Sequence, residues 1–205
     1  INHKNKKNKT KINCIEELET VNNIKYNNKQ KEAIVKSLEN NITIITGGPG
    51  TGKTTIIKAI VELYKKLNKL SEKDLINNIA LLAPTGRASK RMSESTGLPA
   101  STIHRFLKWN KEADEFMINE YNPDYSNLII VDEVSMIDVA LFDALLKGIS
   151  SNVQLVLVGD SFQLPSVGPG LILNDLIESD MFNFCPLKQI YRQSSDSYIP
   201  YLARD

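Results

Sequence analysis

Cysteine is scarce in this chain: Cys14 and Cys185 are the only two in 205 residues, far apart and outside any CxxC spacing. With just two histidines, His3 and His104, they supply neither a disulfide framework nor a zinc site, so a reducing, cytoplasmic compartment is expected. Long apolar runs are missing as well. Stretches such as Leu128–Val131 are far too short to span a bilayer, and the lysine-rich start is not followed by the apolar segment of a signal peptide. The expectation is a soluble chain with no membrane partner. An excess of one charge is also lacking: 25 basic residues stand against 24 acidic ones, for a formal net charge of +1. No global field draws in a polyanion, and any such partner must be held locally.

What is present is enough apolar content, 41%, to bury one sizeable core in a single domain. Residues 1–13 are dominated by Asn, Lys and Thr with isolated Ile, a composition expected to stay solvated. A basic arm touching DNA is the alternative. Beyond them, short β-branched runs alternate with amphipathic helical stretches, the pattern of a parallel sheet covered by helices on both faces. Four strands stand out, Ile42–Thr46, Ile79–Ala83, Leu128–Val131 and Val153–Val158, each running into a polar or Gly/Pro-rich segment. Thr54–Leu67 reads as a helix, as does Asp138–Lys147, capped by Asp138 and closed by Gly148. Ligands of open α/β sheets bind beyond the carboxyl ends of the strands, and that is where the polar segments begin.

The first such segment, Gly47-Gly48-Pro49-Gly50-Thr51-Gly52-Lys53-Thr54, fits GxxxxGK[ST] between a strand and a helix. Its glycines let backbone N–H groups turn around phosphate oxygens, and the helix N-terminus adds partial positive charge. Gly48 to Thr55 is therefore the candidate ATP-binding run, with Lys53 reaching the β and γ phosphates and the Thr54 hydroxyl on Mg²⁺. Asp132 and Glu133 close the strand Leu128–Val131. The first can hold Mg²⁺ and the second can orient or deprotonate an attacking water, a division of labour that suits hydrolysis. Solvated acids at a strand end are the plain alternative for that pair.

The order of motifs resembles the RecD-like branch of superfamily 1 DNA helicases, the exodeoxyribonuclease V alpha subunit family, from about Tyr26 onward. After the P-loop come Leu82-Ala83-Pro84-Thr85-Gly86-Arg87-Ala88, Thr102-Ile103-His104-Arg105 and Val131-Asp132-Glu133-Val134-Ser135-Met136. Then follow Gly159-Asp160-Ser161-Phe162-Gln163-Leu164-Pro165-Ser166-Val167-Gly168-Pro169-Gly170 and a last segment ending Ile190-Tyr191-Arg192-Gln193. The resemblance implies a RecA-like P-loop NTPase over residues 26–205, behind a basic lead-in over residues 1–25. It also implies that Gln30 recognises adenine, although a capping box between Asn27 and Gln30 fits the same residues. It makes Gln163 the sensor of the γ phosphate, for which an amide is suited because it both donates and accepts. Arg192 would contact the γ phosphate across the cleft, with a buried structural arginine as its alternative.

In similar helicases the segments holding Thr85, Arg87, Thr102, His104 and Arg105 grip the backbone of single-stranded DNA, without a base code. Read without the family, His104 is a helix-surface or core histidine with Ser101 as that helix's N-cap. Residues 107–127 resemble a β-hairpin insertion that helps part the duplex. Phe106–Trp109 would pair with Phe116–Ile118, leaving Trp109 to stack on a base or pack on the surface. Nothing in the 205 residues resembles the second motor domain such enzymes use, so weak ATPase and no unwinding are expected of this stretch alone. The implied partners are single-stranded DNA and duplex junctions, with a monomeric enzyme or a nuclease complex as its setting. The polarity, 5′ to 3′, is implied by the family alone. A DNA-stimulated ATPase without unwinding, and a nucleotide-binding nucleic-acid module, are the rival functions.

Overall fold

The computed structural model describes residues 2–163 and 168–187. Two helices lead in, α1 (Asn2–Asn22) and α2 (Asn28–Ser37), before the first strand β1 (Ile42–Gly47). The P-loop then opens α3 (Lys53–Asn68), and α4 (Glu72–Asn78) feeds β2 (Ile79–Ala83). Next come α5 (Gly86–Thr96), β3 (Ala100–Thr102), α6 (Ile103–Phe106) and a small ladder of β4 (Trp109–Asn110) with β5 (Glu115–Phe116). The chain continues through β6 (Leu128–Val131), a 3₁₀ turn (Val134–Met136), α7 (Val139–Lys147), β7 (Gln154–Gly159), α8 (Ile172–Glu178) and β8 (Asn183–Leu187).

Among the described residues the main sheet is parallel, in the order β3-β2-β6-β7-β1-β8. Its central strands are mostly apolar because both faces are covered, with Thr43 and Thr46 of β1 as buried polar exceptions. Successive residues alternate between two cores: Ile45, Leu81, Ile130, Val156 and Val158 face α1, α2, α3 and α5. Ile44, Leu82, Ile129, Leu155 and Leu157 face α6, α7 and α8. Each such side chain contributes about 1.5–3 kcal/mol of burial, so the sheet is the rigid part of the molecule and its strand ends are fixed points.

The two edge strands are not legible in the sequence. β3 has three half-buried residues, and β8 carries Pro186, which lacks an N–H and is tolerated because β8 pairs on one side only, with β1. Residues 2–13 are helical, contrary to the expected solvated tail. The C-terminal half of α1 is anchored: Ile15 is fully buried, and Cys14 and Leu18 pack against the same core. Lys11 pairs with Glu39 at 3.0 Å and Lys66 pairs with Glu17. Once a helix is nucleated by such packing, extending it backward through polar residues costs little. In the small ladder Trp109 opposes Phe116 and Asn110 opposes Glu115, but Phe106 closes α6 and is not part of a strand.

Candidate nucleotide site and DNA-facing edge

Strand order decides which segments meet. β7 lies between β1 and β6, so the loop after β7, with Asp160 and Gln163, emerges between the P-loop and Asp132-Glu133. β2 and β3 continue the sheet beyond β6, and their ends carry Thr85, Arg87, Thr102, His104 and Arg105. The nucleotide segments and the expected DNA segments thus share one edge, joined at β6.

The P-loop is held by its own backbone. Thr51 donates its hydroxyl to the Gly48 carbonyl at 2.8 Å, and Gly50 and Gly52 have φ of 73° and 87°, in the left-handed region that L side chains rarely enter. At Gly47 a Cβ would collide with the Thr51 hydroxyl and come within 2.9 Å of Leu187 Cβ. The helix α3 begins at Lys53 with its first amides uncapped by any side chain, a ready site for anionic oxygens. Lys53 folds back, its Nζ donating to the Gly47 and Gly48 carbonyls at 2.5 and 3.1 Å, and the Thr54 hydroxyl is exposed. These groups fit a triphosphate. Thr54 and Asp132 fit Mg²⁺, which takes few protein ligands and shares phosphate oxygens. Among the described residues there is no cluster of three His, Cys, Asp or Glu that could hold a metal.

Asp132 accepts from the Glu133 amide at 2.8 Å, and burial pushes its carboxyl above the usual value, against the pull of that bond, Lys53 and Arg91. Glu133 is a non-glycine residue at φ 56°, ψ 40°. That left-handed conformation costs about 1–2 kcal/mol and is typical of functional sites. Its carboxylate accepts from Arg91 Nη2 at 3.3 Å. Ser135 donates its hydroxyl to Gln163 Oε1 at 3.0 Å, tying the two loops together. Asp160, 5% exposed, accepts from the Phe162 amide at 3.0 Å and turns the chain toward Gln163. Arg192 lies outside the described residues; β8 ends at Leu187, in register with Gly47.

Gln30 forms the capping box. Its Oε1 accepts from the Asn27 amide at 3.1 Å, its own amide donates to Asn27 Oδ1 at 2.9 Å, and its Nε2 donates to the Thr51 carbonyl at 3.2 Å. A Cβ at Gly52 would sit 2.5 Å from that Nε2, so the P-loop glycine makes room for it. The capping box and contact with the phosphate loop are compatible, because one amide serves both.

On the neighbouring strand ends, Thr85 and Thr102 act as N-caps, accepting from the Ala88 and Arg105 amides at 3.2 and 3.3 Å. Thr102, the last residue of β3, caps α6 in place of the expected Ser101. Arg87 and Arg105 are exposed and their side chains have no hydrogen bond or ion pair among the described residues. His104 is exposed and tilted against Phe116 at 5.8 Å, and Phe116 also packs on Trp109 at 4.7 Å. Trp109 thus has a packing partner while remaining 40% exposed. Arg91 and Ser135 are site residues that the sequence does not mark. Arg91 stands four residues after Arg87 on one helix face, and Ser135 sits inside the Asp132–Met136 segment, but neither spacing names a partner.

A larger recess, about 840 Å³, opens at the opposite, amino ends of the strands. Its wall is mostly amide side chains, among them Asn41, Asn78, Asn127 and Gln154. No convergent charged groups line it beyond Lys11, so size does not make it the reactive site.

A parallel sheet with a P-loop after β1 and a carboxylate pair after β6 defines a RecA-like P-loop nucleotide-binding domain. The sequence pattern of the AAA domain family matches residues 30–169, more than half of the chain, and the chain belongs to that family. It is 39% identical over 158 residues to the ATP-dependent RecD2 DNA helicase of Deinococcus radiodurans, covering 77% of this chain and 20% of that protein. It is 37% identical over 191 residues to the RecBCD enzyme subunit RecD of Buchnera aphidicola, covering 84% of this chain and 31% of that one. The chain therefore spans less than a third of these curated relatives. Among solved structures, the Pif1 helicase of Candida albicans superposes with a TM-score of 0.59 at 23% identity, over 84% of this chain and 42% of that one. A Bacteroides Pif1 bound to single-stranded DNA superposes at 0.57 and 21%, over 88% and 46%. Among the described residues no helix is long and apolar enough to cross a membrane.

Proposed function

We propose that this chain is the first motor domain, over residues 26–205, of an ATP-dependent DNA helicase that moves 5′ to 3′ on single-stranded DNA and opens duplex junctions. The observation that carries this reading is the convergence, at one sheet edge, of a P-loop, a carboxylate pair and the Gln163 amide beside Arg87 and Arg105, which are exposed and unpaired among the described residues. A plain nucleotide-binding module has no need for that second set. The relatives named RecD and RecD2 support the same reading, and RecD's place in the RecBCD enzyme makes a nuclease complex one setting for the intact protein. A monomer in the cytoplasm is the other.

Lys53 gives up the Gly47 and Gly48 carbonyls and turns to the phosphates, where its charge offsets that of the leaving group. Gly48 to Thr55 would hold ATP, Thr54 and Asp132 would hold Mg²⁺, and Gln30, whose amide is engaged with Asn27 and Thr51 beside the loop, is assigned to adenine. Mg²⁺ supplies Lewis acidity at the phosphoryl oxygens. Glu133, at the end of β6, accepts the proton of the attacking water. Gln163, linked to Ser135, reports the state of the γ phosphate along the edge to the DNA-facing segments. Arg192 is assigned to the γ phosphate from across the cleft. The β4–β5 ladder, within the 107–127 insertion, lies beside His104 and is assigned to the duplex junction.

The test is ATP turnover by the intact protein with and without single-stranded DNA, together with Glu133→Gln. Stimulation by DNA and a loss of about a hundredfold or more in kcat for the variant are expected. Turnover indifferent to DNA would remove the motor reading, and an active Glu133→Gln enzyme would remove the role given to Glu133.

A further inference from the structure

Among the ion pairs between described residues, only that of Arg91 with Glu133 engages a group assigned to hydrolysis. It crosses from α5, the helix that begins at the DNA-facing end of β2, to the acid at the end of β6. Arg91 Nη2 stands 3.3 Å from Glu133 Oε1, with the arginine side chain 63% exposed and the glutamate side chain 17% exposed. Arg87 lies one helical turn earlier on α5, exposed and without a hydrogen bond or ion pair among the described residues. A phosphate backbone drawn to Arg87 passes within reach of Arg91 as well, because residues four apart share a helix face.

We propose that Arg91 is a positioning residue that holds Glu133 in a resting arrangement and is surrendered to a DNA phosphate, so that DNA binding frees the water-activating carboxylate. The inference rests on the reading of Glu133 given above and adds the regulation of that residue. A guanidinium hydrogen bond occupies an oxygen of the carboxylate that must accept the water's proton, and fixes the direction in which the side chain points. Phosphate is an equally good acceptor for arginine, whose fork suits two phosphate oxygens. Exposure of the pair matters here. A half-exposed ion pair is weakly held, so exchanging the carboxylate for a phosphate is close to balanced and can act as a switch, whereas a buried pair would be a lock. Glu133 itself remains at the end of β6 once Arg91 leaves.

The experiment measures ATP turnover by the intact protein, with and without an oligothymidine strand, for the wild type, Arg91→Ala, Arg91→Gln, Arg91→Lys and Glu133→Gln. Arg91→Ala and Arg91→Gln are expected to raise DNA-free kcat by about twofold to fivefold, the factor such a pair can hold. The KM for ATP stays unchanged and the ratio of DNA-stimulated to DNA-free turnover shrinks by the same factor. Arg91→Lys, which keeps the charge, falls between. If Arg91→Ala misfolds, Arg91→Gln carries the same test with a good helix former. DNA-free kcat that falls or stays level in the neutral variants, while Glu133→Gln is inactive, overturns the switch. Residual activity in Glu133→Gln instead overturns the reading of Glu133.

Discussion

At the end of β1 the polar groups offered to a ligand belong to the backbone, whereas at the ends of β2 and β3 they belong to long, exposed side chains. The P-loop is fixed by Thr51, by two glycines at positive φ and by Gln30, so its amides are in place before any anion arrives. Arg87 and Arg105 are held by nothing among the described residues beyond the helices that carry them. The difference matches the tasks proposed for the two regions. Phosphoryl chemistry needs donors fixed where charge develops, and their value comes from costing no reorganisation. A strand that must slide needs contacts that form and release without a sequence code, which flexible cations provide.

Four tests bear on that contrast, beginning with the largest effect. Lys53→Ala is expected to reduce kcat by about a hundredfold to a thousandfold, as loss of an electrostatic donor to the transferred phosphoryl group does. Its affinity for single-stranded DNA in the absence of nucleotide should stay within about twofold, measured by fluorescence anisotropy; a matching loss there would mean the two regions are not separate. Next, Arg87→Ala with Arg105→Ala is expected to weaken DNA binding by about tenfold and to lower the salt slope of log K by roughly 1 for each phosphate no longer held. A salt titration reads this, and an unchanged slope would place the DNA elsewhere.

Thr85→Ala removes the cap of α5 and costs about 1 kcal/mol of stability in chemical denaturation, while Thr85→Ser keeps it. If DNA binding follows the serine rescue, Thr85 acts on DNA through the helix it caps. The smallest effect concerns Asp132, whose carboxyl is pushed above its ordinary value of 3.8 by burial. A raised folded value means that the folded state favours the proton, so this group lowers stability as pH rises through that value. Asp132→Asn should therefore raise the melting temperature of the nucleotide-free protein at pH 7 by about 2 °C, with the gain vanishing below pH 3.8, the ordinary value. The same variant loses Mg²⁺-dependent turnover. A melting temperature that falls at pH 7 would show that Asp132 is stabilised as a carboxylate.

The central strands are readable because burial on both faces leaves a largely apolar, β-branched run that polar sequence cannot imitate. Asp138 and Gly148 as the ends of α7 are readable for a similarly local reason, since a cap is a contact over three or four residues. The edge strands β3 and β8 are not, because half-buried positions need no apolar pattern. α1 defeats a compositional reading for the opposite reason: composition says what a segment does alone, and Ile15 and Leu18 are not alone. In the site, Lys53, Thr54, Asp132 and Glu133 are legible from spacing within one segment. The link from Gln30 to Thr51 and the pair of Arg91 with Glu133 join residues 21 and 42 positions apart, and no periodicity marks them.

By itself, then, the sequence determined the candidate chemistry: a glycine-rich turn suited to wrap an anion, and two carboxylates that end a buried strand. These follow from backbone sterics and burial, which act between neighbours in the chain. Only the tertiary structure decided which strand end stands beside which. The order β3-β2-β6-β7-β1-β8 sets Glu133 between the P-loop side and the α5 helix, within reach of Arg91. Strand order depends on how whole faces pack, and that is a property of the folded sheet.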